Sequence, residues 1–168
     1  MNIQIAQIIK ESIVDGPGIR YVVFTQGCSH NCPGCFNPST HNTKGGLSIP
    51  VYDLGNQIIQ ESYTKLVTIT GGDPLQQIES LGVLVKRLKN NNFHIMIYTG
   101  YTWEKIIQHS ELFDIVKLCD VLVDGKFEQQ LKNISLTFRG SSNQRIIDIQ
   151  QTFMSASLVT IDYDNKGD

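Results

Sequence analysis

A chain of 168 residues, 40% apolar and 18% charged, is long enough for one folded domain with a real core and too apolar for disorder. Fourteen basic against sixteen acidic side chains leave a formal charge of -2, which removes any electrostatic case for nucleic acid or an anionic membrane as the main partner. Met1 to Lys10 lacks a basic stretch followed by an apolar one, and no apolar run approaches the ~18 residues of a membrane span, so a cytoplasmic, reducing location is expected.

Ile3 to Val14 is apolar enough for an edge strand or an ordered arm, and Asp15-Gly16-Pro17-Gly18 is a turn. Ile19 to Thr25 is nearly continuous in β-branched and aromatic residues, as a buried strand should be. After a polar connection, Ser48 and Pro50 offer a helix start, with Val51, Leu54, Ile58 and Ile59 on one stripe. Leu66 to Thr70 is the next strand, ended by Gly71-Gly72-Asp73-Pro74. Ile78, Leu81, Leu84, Val85 and Leu88 keep helical periodicity up to Asn90. Phe93 to Thr99 predicts a third strand; Thr102 and Ser110 are candidate caps for two short helices; Val121 to Asp124 predicts a fourth strand. Leu136 to Phe138 and Arg145 to Ile149 are expected to pair around the loop 139–144, and Leu158 to Ile161 can add one strand.

Alternating strands and helices predict parallel βαβ units. Each glycine-rich or polar motif follows a strand, at the end that carries the active site in βα barrels. A full barrel typically needs ~250 residues, so the expected fold is α/β, an incomplete (βα) barrel of about five or six mostly parallel strands, forming a single domain over 1–168.

Cys28, Cys32 and Cys35 place three of the four cysteines within one short loop, Gly27-Cys28-Ser29-His30-Asn31-Cys32-Pro33-Gly34-Cys35-Phe36-Asn37. In a reducing compartment such spacing indicates a metal site rather than disulfides. Two kinds remain open on the residues alone: zinc with His30 or His41 as a fourth ligand, or an iron-sulfur cluster with one iron left without a protein thiolate. Pro33 and Gly34 suit a tight loop whose amides turn toward cluster sulfurs. Cys119, in an apolar segment, reads as a small buried side chain. His30 and His41 are expected to face solvent, and His94 and His109 suggest no partner.

The spacing C-x3-C-x2-C at Cys28, Cys32 and Cys35 resembles that of the radical S-adenosylmethionine (SAM) enzymes. The form Cys-Pro-Gly-Cys-Phe-Asn is similar to that of activating proteins of anaerobic ribonucleoside-triphosphate reductase. Gly71-Gly72-Asp73 resembles the Gly-Gly-Glu motif of radical SAM proteins, which binds the SAM amino group; a carboxylate is a suitable partner for an ammonium. Val121 to Phe127 and Arg139 to Arg145 extend the resemblance across nearly the whole chain. Tyr98-Thr99-Gly100-Tyr101 is placed to offer hydroxyls to SAM, and the polar 139–145 loop to grip SAM or a partner.

The resemblance implies a glycyl radical enzyme activase. A 4Fe-4S cluster held by Cys28, Cys32 and Cys35 would cleave SAM to a 5'-deoxyadenosyl radical, which takes a hydrogen atom from a glycine of the reductase. Gly34, Cys35 and Phe36 would lie along SAM; Gly71, Gly72 and Asp73 would hold its methionine end. No side chain is expected to be catalytic beyond the cluster and SAM, and a low-potential donor such as flavodoxin would supply the electron. Alternatives are activation of another glycyl radical enzyme of the pyruvate formate-lyase type, or a non-catalytic zinc-binding module.

Overall fold

The structure is a computed structural model that describes residues 1–165. Seven strands form one sheet: β1 (Asn2–Ser12), β2 (Arg20–Thr25), β3 (Leu47–Pro50), β4 (Leu66–Gly71), β5 (His94–Tyr98), β6 (Val121–Asp124) and β7 (Arg145–Asp148). Their order is β3-β1-β2-β4-β5-β6-β7. The centre, β2-β4-β5-β6, is parallel, and both flanks are antiparallel. The parallel centre follows from the crossover helices α1 (Val51–Glu61), α2 (Ile78–Lys89), α3 (Trp103–Ile107) and α4 (Ser110–Val116). A fifth helix, α5 (Ile149–Ser155), follows β7.

Register explains why the central strands are apolar without interruption. Val23, Ile69, Ile97, Leu122 and Ile147 align across five strands and belong to the main core beneath the helices, where α2 contributes Leu81, Leu84, Val85 and Leu88. On the opposite face Met96, Val121, Val123 and Ile146 form a second cluster with Tyr98, Phe138, Ile161 and Tyr163. Strands buried on both faces have no solvent side to make polar.

Several elements depart from the sequence expectations. The first strand is not at an edge: β1 lies between β3 and β2, because Leu47–Pro50 pairs with it before Pro50 caps α1, as the sequence led one to expect for that helix start. Leu136 to Phe138 is no strand, since Phe138 takes a left-handed φ of 59° and Tyr98 Oη donates to its carbonyl. Arg145–Asp148 pairs with β6 instead. The segment around Leu158 to Ile161 adds only an isolated bridge, Ile147 to Thr160. The sheet has seven strands where five or six were expected, and the extra ones are flanking antiparallel strands. Among the described residues no helix is long and apolar enough to cross a membrane.

Candidate metal centre

The end of β2 leads directly into the cysteine loop. Gly27 and Cys28 donate their amides to the carbonyls of Thr40 (2.7 Å) and His41 (3.3 Å), so the 3-10 turn at Pro38–Thr40 backs the loop. Cys35 N–H donates to the Cys32 carbonyl (3.2 Å) across Pro33 and Gly34; Gly34 has φ 70°, a conformation that glycine adopts without strain. All four cysteines are free, and Cys28, Cys32 and Cys35 are partly exposed while Cys119 is buried. Burial pushes the Cys28 and Cys32 thiols up, and neighbouring Asp73, Cys32 and Cys35 add to this at Cys28. The amide of His30 opposes the rise at Cys28, and that of Phe127 does so at Cys32. Inward-pointing amides of this kind suit anionic sulfur.

A cleft of about 730 Å³ opens at the C-terminal ends of the parallel strands and is lined by all three cysteine thiols. It also takes Gly71 and Gly72 after β4, Thr99 and Gly100 after β5, and Gly125 and Lys126 after β6. The motifs that followed four successive strands in the sequence thus meet in one place. Buried in its wall, His41 Nε2 has no hydrogen-bond partner among the described residues. Three free thiols with converging amides fit an iron-sulfur cluster, and the glycine-lined remainder leaves room for a further ligand.

Gly34 and Asp73 are the expected site residues that do not line this cleft. Gly34 faces the other way, where an added Cβ would meet the Gln129 side chain at 2.9 Å. Phe36 is at the rim, 56% exposed, with its ring 4.9 Å from Phe127 and the Lys132 ammonium 5.1 Å from the ring centre. Gly71 (φ 104°) and Gly72 press against the start of the cysteine loop: a Cβ on Gly72 would come within 2.3 Å of the Gly27 carbonyl oxygen. The amides of Gly72 and Asp73 donate to Thr25 and Gly27 carbonyls (2.8 and 2.9 Å).

Asp73 is fully buried. Its carboxylate accepts from Leu75 N–H (3.0 Å), Thr99 Oγ1 (3.0 and 2.9 Å), Gly100 N–H (3.0 Å) and His30 Nε2 (2.5 Å). His30 is therefore not a solvent-facing loop histidine: its side chain is 9% exposed, edge-on to Tyr101 at 4.8 Å. The hydroxyls of Tyr98 and Thr99, expected to face a ligand, donate to the Phe138 carbonyl (2.8 Å) and to Asp73. No sequence periodicity marks the His30 and Asp73 pair, because the partners lie on loops after different strands.

The 139–145 loop also turns inward. Arg145 binds Asp124 (3.0 and 2.5 Å) and Glu104 (2.9 and 2.8 Å), which holds the Glu104 carboxyl down at about 2. Arg139 donates to the Gln144 carbonyl and pairs with Asp164. Gln144 and Asn143 donate to the carbonyls of Gly125 and Lys126. These contacts clamp the turn after β6 over the cysteine loop.

A family described as "4Fe-4S single cluster domain" matches residues 14–147. The anaerobic ribonucleoside-triphosphate reductase-activating protein of Escherichia coli K12 is 39% identical over 147 residues, covering 82% of this chain and 94% of that protein. The protein of the same name from Enterobacteria phage T4 is 40% identical over 140 residues, covering 79% and 86%. Among solved structures, QueE from Escherichia coli aligns with a TM-score of 0.48 and 24% identity over 61% of this chain and 54% of that one. By its match to the cluster domain and its identity to these relatives over nearly their full length, the chain belongs to the family of anaerobic ribonucleoside-triphosphate reductase-activating proteins.

Proposed function

We propose that this protein is a radical SAM activase that generates a glycyl radical on anaerobic ribonucleoside-triphosphate reductase. The observation that carries this reading is the meeting of Cys28, Cys32 and Cys35 with Gly71 and Gly72 in one cleft, in a member of this family. When bound, a 4Fe-4S cluster and SAM supply the one-electron chemistry that removes a hydrogen atom from the reductase's glycine. The chain's own task is to bind, orient and shield. Cys28, Cys32 and Cys35 hold the cluster, and the backbone amides of His30 and Phe127 stabilise the thiolates. Cys35 and Phe36 lie along SAM, and the Gly71-Gly72 turn holds its methionine end, where glycines allow close approach.

The sheet is read as an incomplete (βα) barrel of radical SAM type, a single domain whose open side receives a protein rather than a diffusing metabolite. Ile13, Val14 and Ile134, exposed by 74%, 73% and 89%, are apolar side chains that a partner can cover, with Val14 and Ile134 at the cleft itself. Cytoplasmic location and a low-potential donor such as flavodoxin fit this role.

Anaerobic reconstitution tests the reading. The protein should bind about four irons and turn brown, and Cys28→Ala, Cys32→Ala or Cys35→Ala should abolish SAM cleavage while Cys119→Ala keeps it. Mixed with SAM and reductant, the cognate reductase should show a glycyl-radical EPR signal and a pyruvate formate-lyase should not. A colourless zinc-loaded protein, or a radical on the lyase alone, would overturn the reading.

A further inference from the structure

Asp73 sits where a SAM-binding carboxylate is expected, yet it is turned away from the cleft. Its side chain has no exposed surface. An ionised carboxylate offers about four acceptor positions. Four donors already converge on it, namely Leu75 N–H, Thr99 Oγ1, Gly100 N–H and His30 Nε2. An ammonium could enter only by expelling one of them and uncovering a buried group.

The four donors come from three loops. His30 belongs to the loop after β2, Leu75 to the turn after β4, and Thr99 and Gly100 to the loop after β5. The carboxylate accepts only, so His30 Nε2 carries the proton and is the donor. His30 is wedged in place: a Cβ on Gly100 would lie 2.5 Å from its ring, and Tyr101 meets it edge-on. His30 stands midway between Cys28 and Cys32 in the chain, two residues from each. A fixed His30 ring therefore restrains the short stretch of chain that carries Cys28 and Cys32.

We propose that Asp73 is a positioning residue that holds the cysteine loop through His30, and that it does not bind SAM through its carboxylate. The inference rests on the reading above that the 28–35 loop holds the cluster. Outer partners that orient metal ligands typically change metal retention by about 10- to 100-fold when removed.

The test compares Asp73→Asn, His30→Leu, His30→Gln and the double variant Asp73→Asn/His30→Leu. In cluster-free protein, amides 28–36 should exchange hydrogen faster in Asp73→Asn and His30→Leu than in wild type, a readout that needs no cofactor. After anaerobic reconstitution, both should release iron to a chelator about tenfold faster or more. The double variant should be no faster than the faster single one, because both act through one contact. His30→Gln, which can still donate to Asp73, should recover slow release. The reduction potential should move in the same direction in Asp73→Asn and His30→Leu, since hydrogen bonding to the sulfurs tunes it. SAM affinity of the cluster-loaded variants should stay close to wild type.

Loss of SAM affinity by about tenfold or more in Asp73→Asn, with iron release and loop exchange unchanged, would overturn the proposal and make Asp73 a SAM ligand. Should Asp73→Asn not fold, equal iron release by His30→Leu and wild type would still overturn it. Wild-type protein that takes up no iron-sulfur cluster would remove the activase reading instead, and the cluster-free exchange measurement would still decide whether Asp73 holds the loop.

Discussion

Arg20 is 1% exposed and directs its guanidinium to neutral acceptors: Thr68 Oγ1 and the Val67 carbonyl at 2.6 Å, the Pro17 carbonyl at 3.2 Å and His94 Nδ1 at 3.2 Å. Burial lowers its pKa to about 10, with Tyr98, Tyr163 and Asp120 pulling the other way. Because Arg20 donates, His94 Nδ1 must accept, and the ring is held neutral. Burial is the first cause that lowers the His94 pKa below its ordinary 6.5; Asp120 opposes it, and Arg20 and Lys89 reinforce it. A base with a depressed folded pKa is protonated first in the unfolded chain, so stability falls as pH drops below about 6.5 toward the folded value. Urea unfolding between pH 8 and 5 should show this decline, and His94→Gln should flatten that part of it. An unchanged slope would mean that His94 does not titrate differently on folding.

At the scale of elements, glycines separate what holds the site from what holds the fold. Gly72 ends β4 against the cysteine loop, and an alanine there would put Cβ 2.3 Å from a backbone oxygen that cannot swing aside. Gly82 lies inside α2, where an alanine Cβ would make ordinary contacts of 3.6 Å with Ile115. Gly72→Ala should therefore displace the turn from Gly27 and lower both iron content and SAM affinity. Gly82→Ala should leave both unchanged and stabilise the protein by roughly 0.5 to 1 kcal/mol, the helix preference of alanine over glycine. Iron assay and chemical denaturation of the two variants measure the contrast directly.

For the whole molecule, the main consequence is a cleft that the chain does not close by itself. A reactive site open to solvent should wait for a cover that excludes water. Reduced protein alone should therefore cleave SAM slowly, and the reductase should accelerate productive turnover. Ile134→Asp, at an apolar side chain that makes no core contact by its exposure of 89%, should lower the glycyl-radical yield at limiting reductase and leave SAM affinity unchanged. An equal yield would remove this rim from the contact. Arg139 and Arg145, by contrast, are engaged within the chain, so their replacement should first loosen the clamp over the turn after β6.

Sequence alone determined what depends on near neighbours. Three cysteines in one loop, Gly71-Gly72 at a strand end, the buried Cys119, and the central strands and α2 all follow from local spacing or uninterrupted apolar runs. Those runs also demanded a sheet covered on both faces, and β2, β4, β5 and β6 supply its parallel centre. The tertiary structure decided the pairings between distant segments. Leu47–Pro50 became a strand because β1 offered it an edge, and Arg145–Asp148 joined β6 rather than its nearer neighbour. The surroundings of His30 and Asp73 were decided in the same way. A carboxylate after β4 looks free to bind a ligand until two adjacent loops bring three donors to it, and a loop histidine looks solvated until Gly100 makes room for its ring. A short motif records which residue types are present; which of their hydrogen bonds are already satisfied is set by long-range packing, and that is what directs Asp73 toward His30 instead of the cleft.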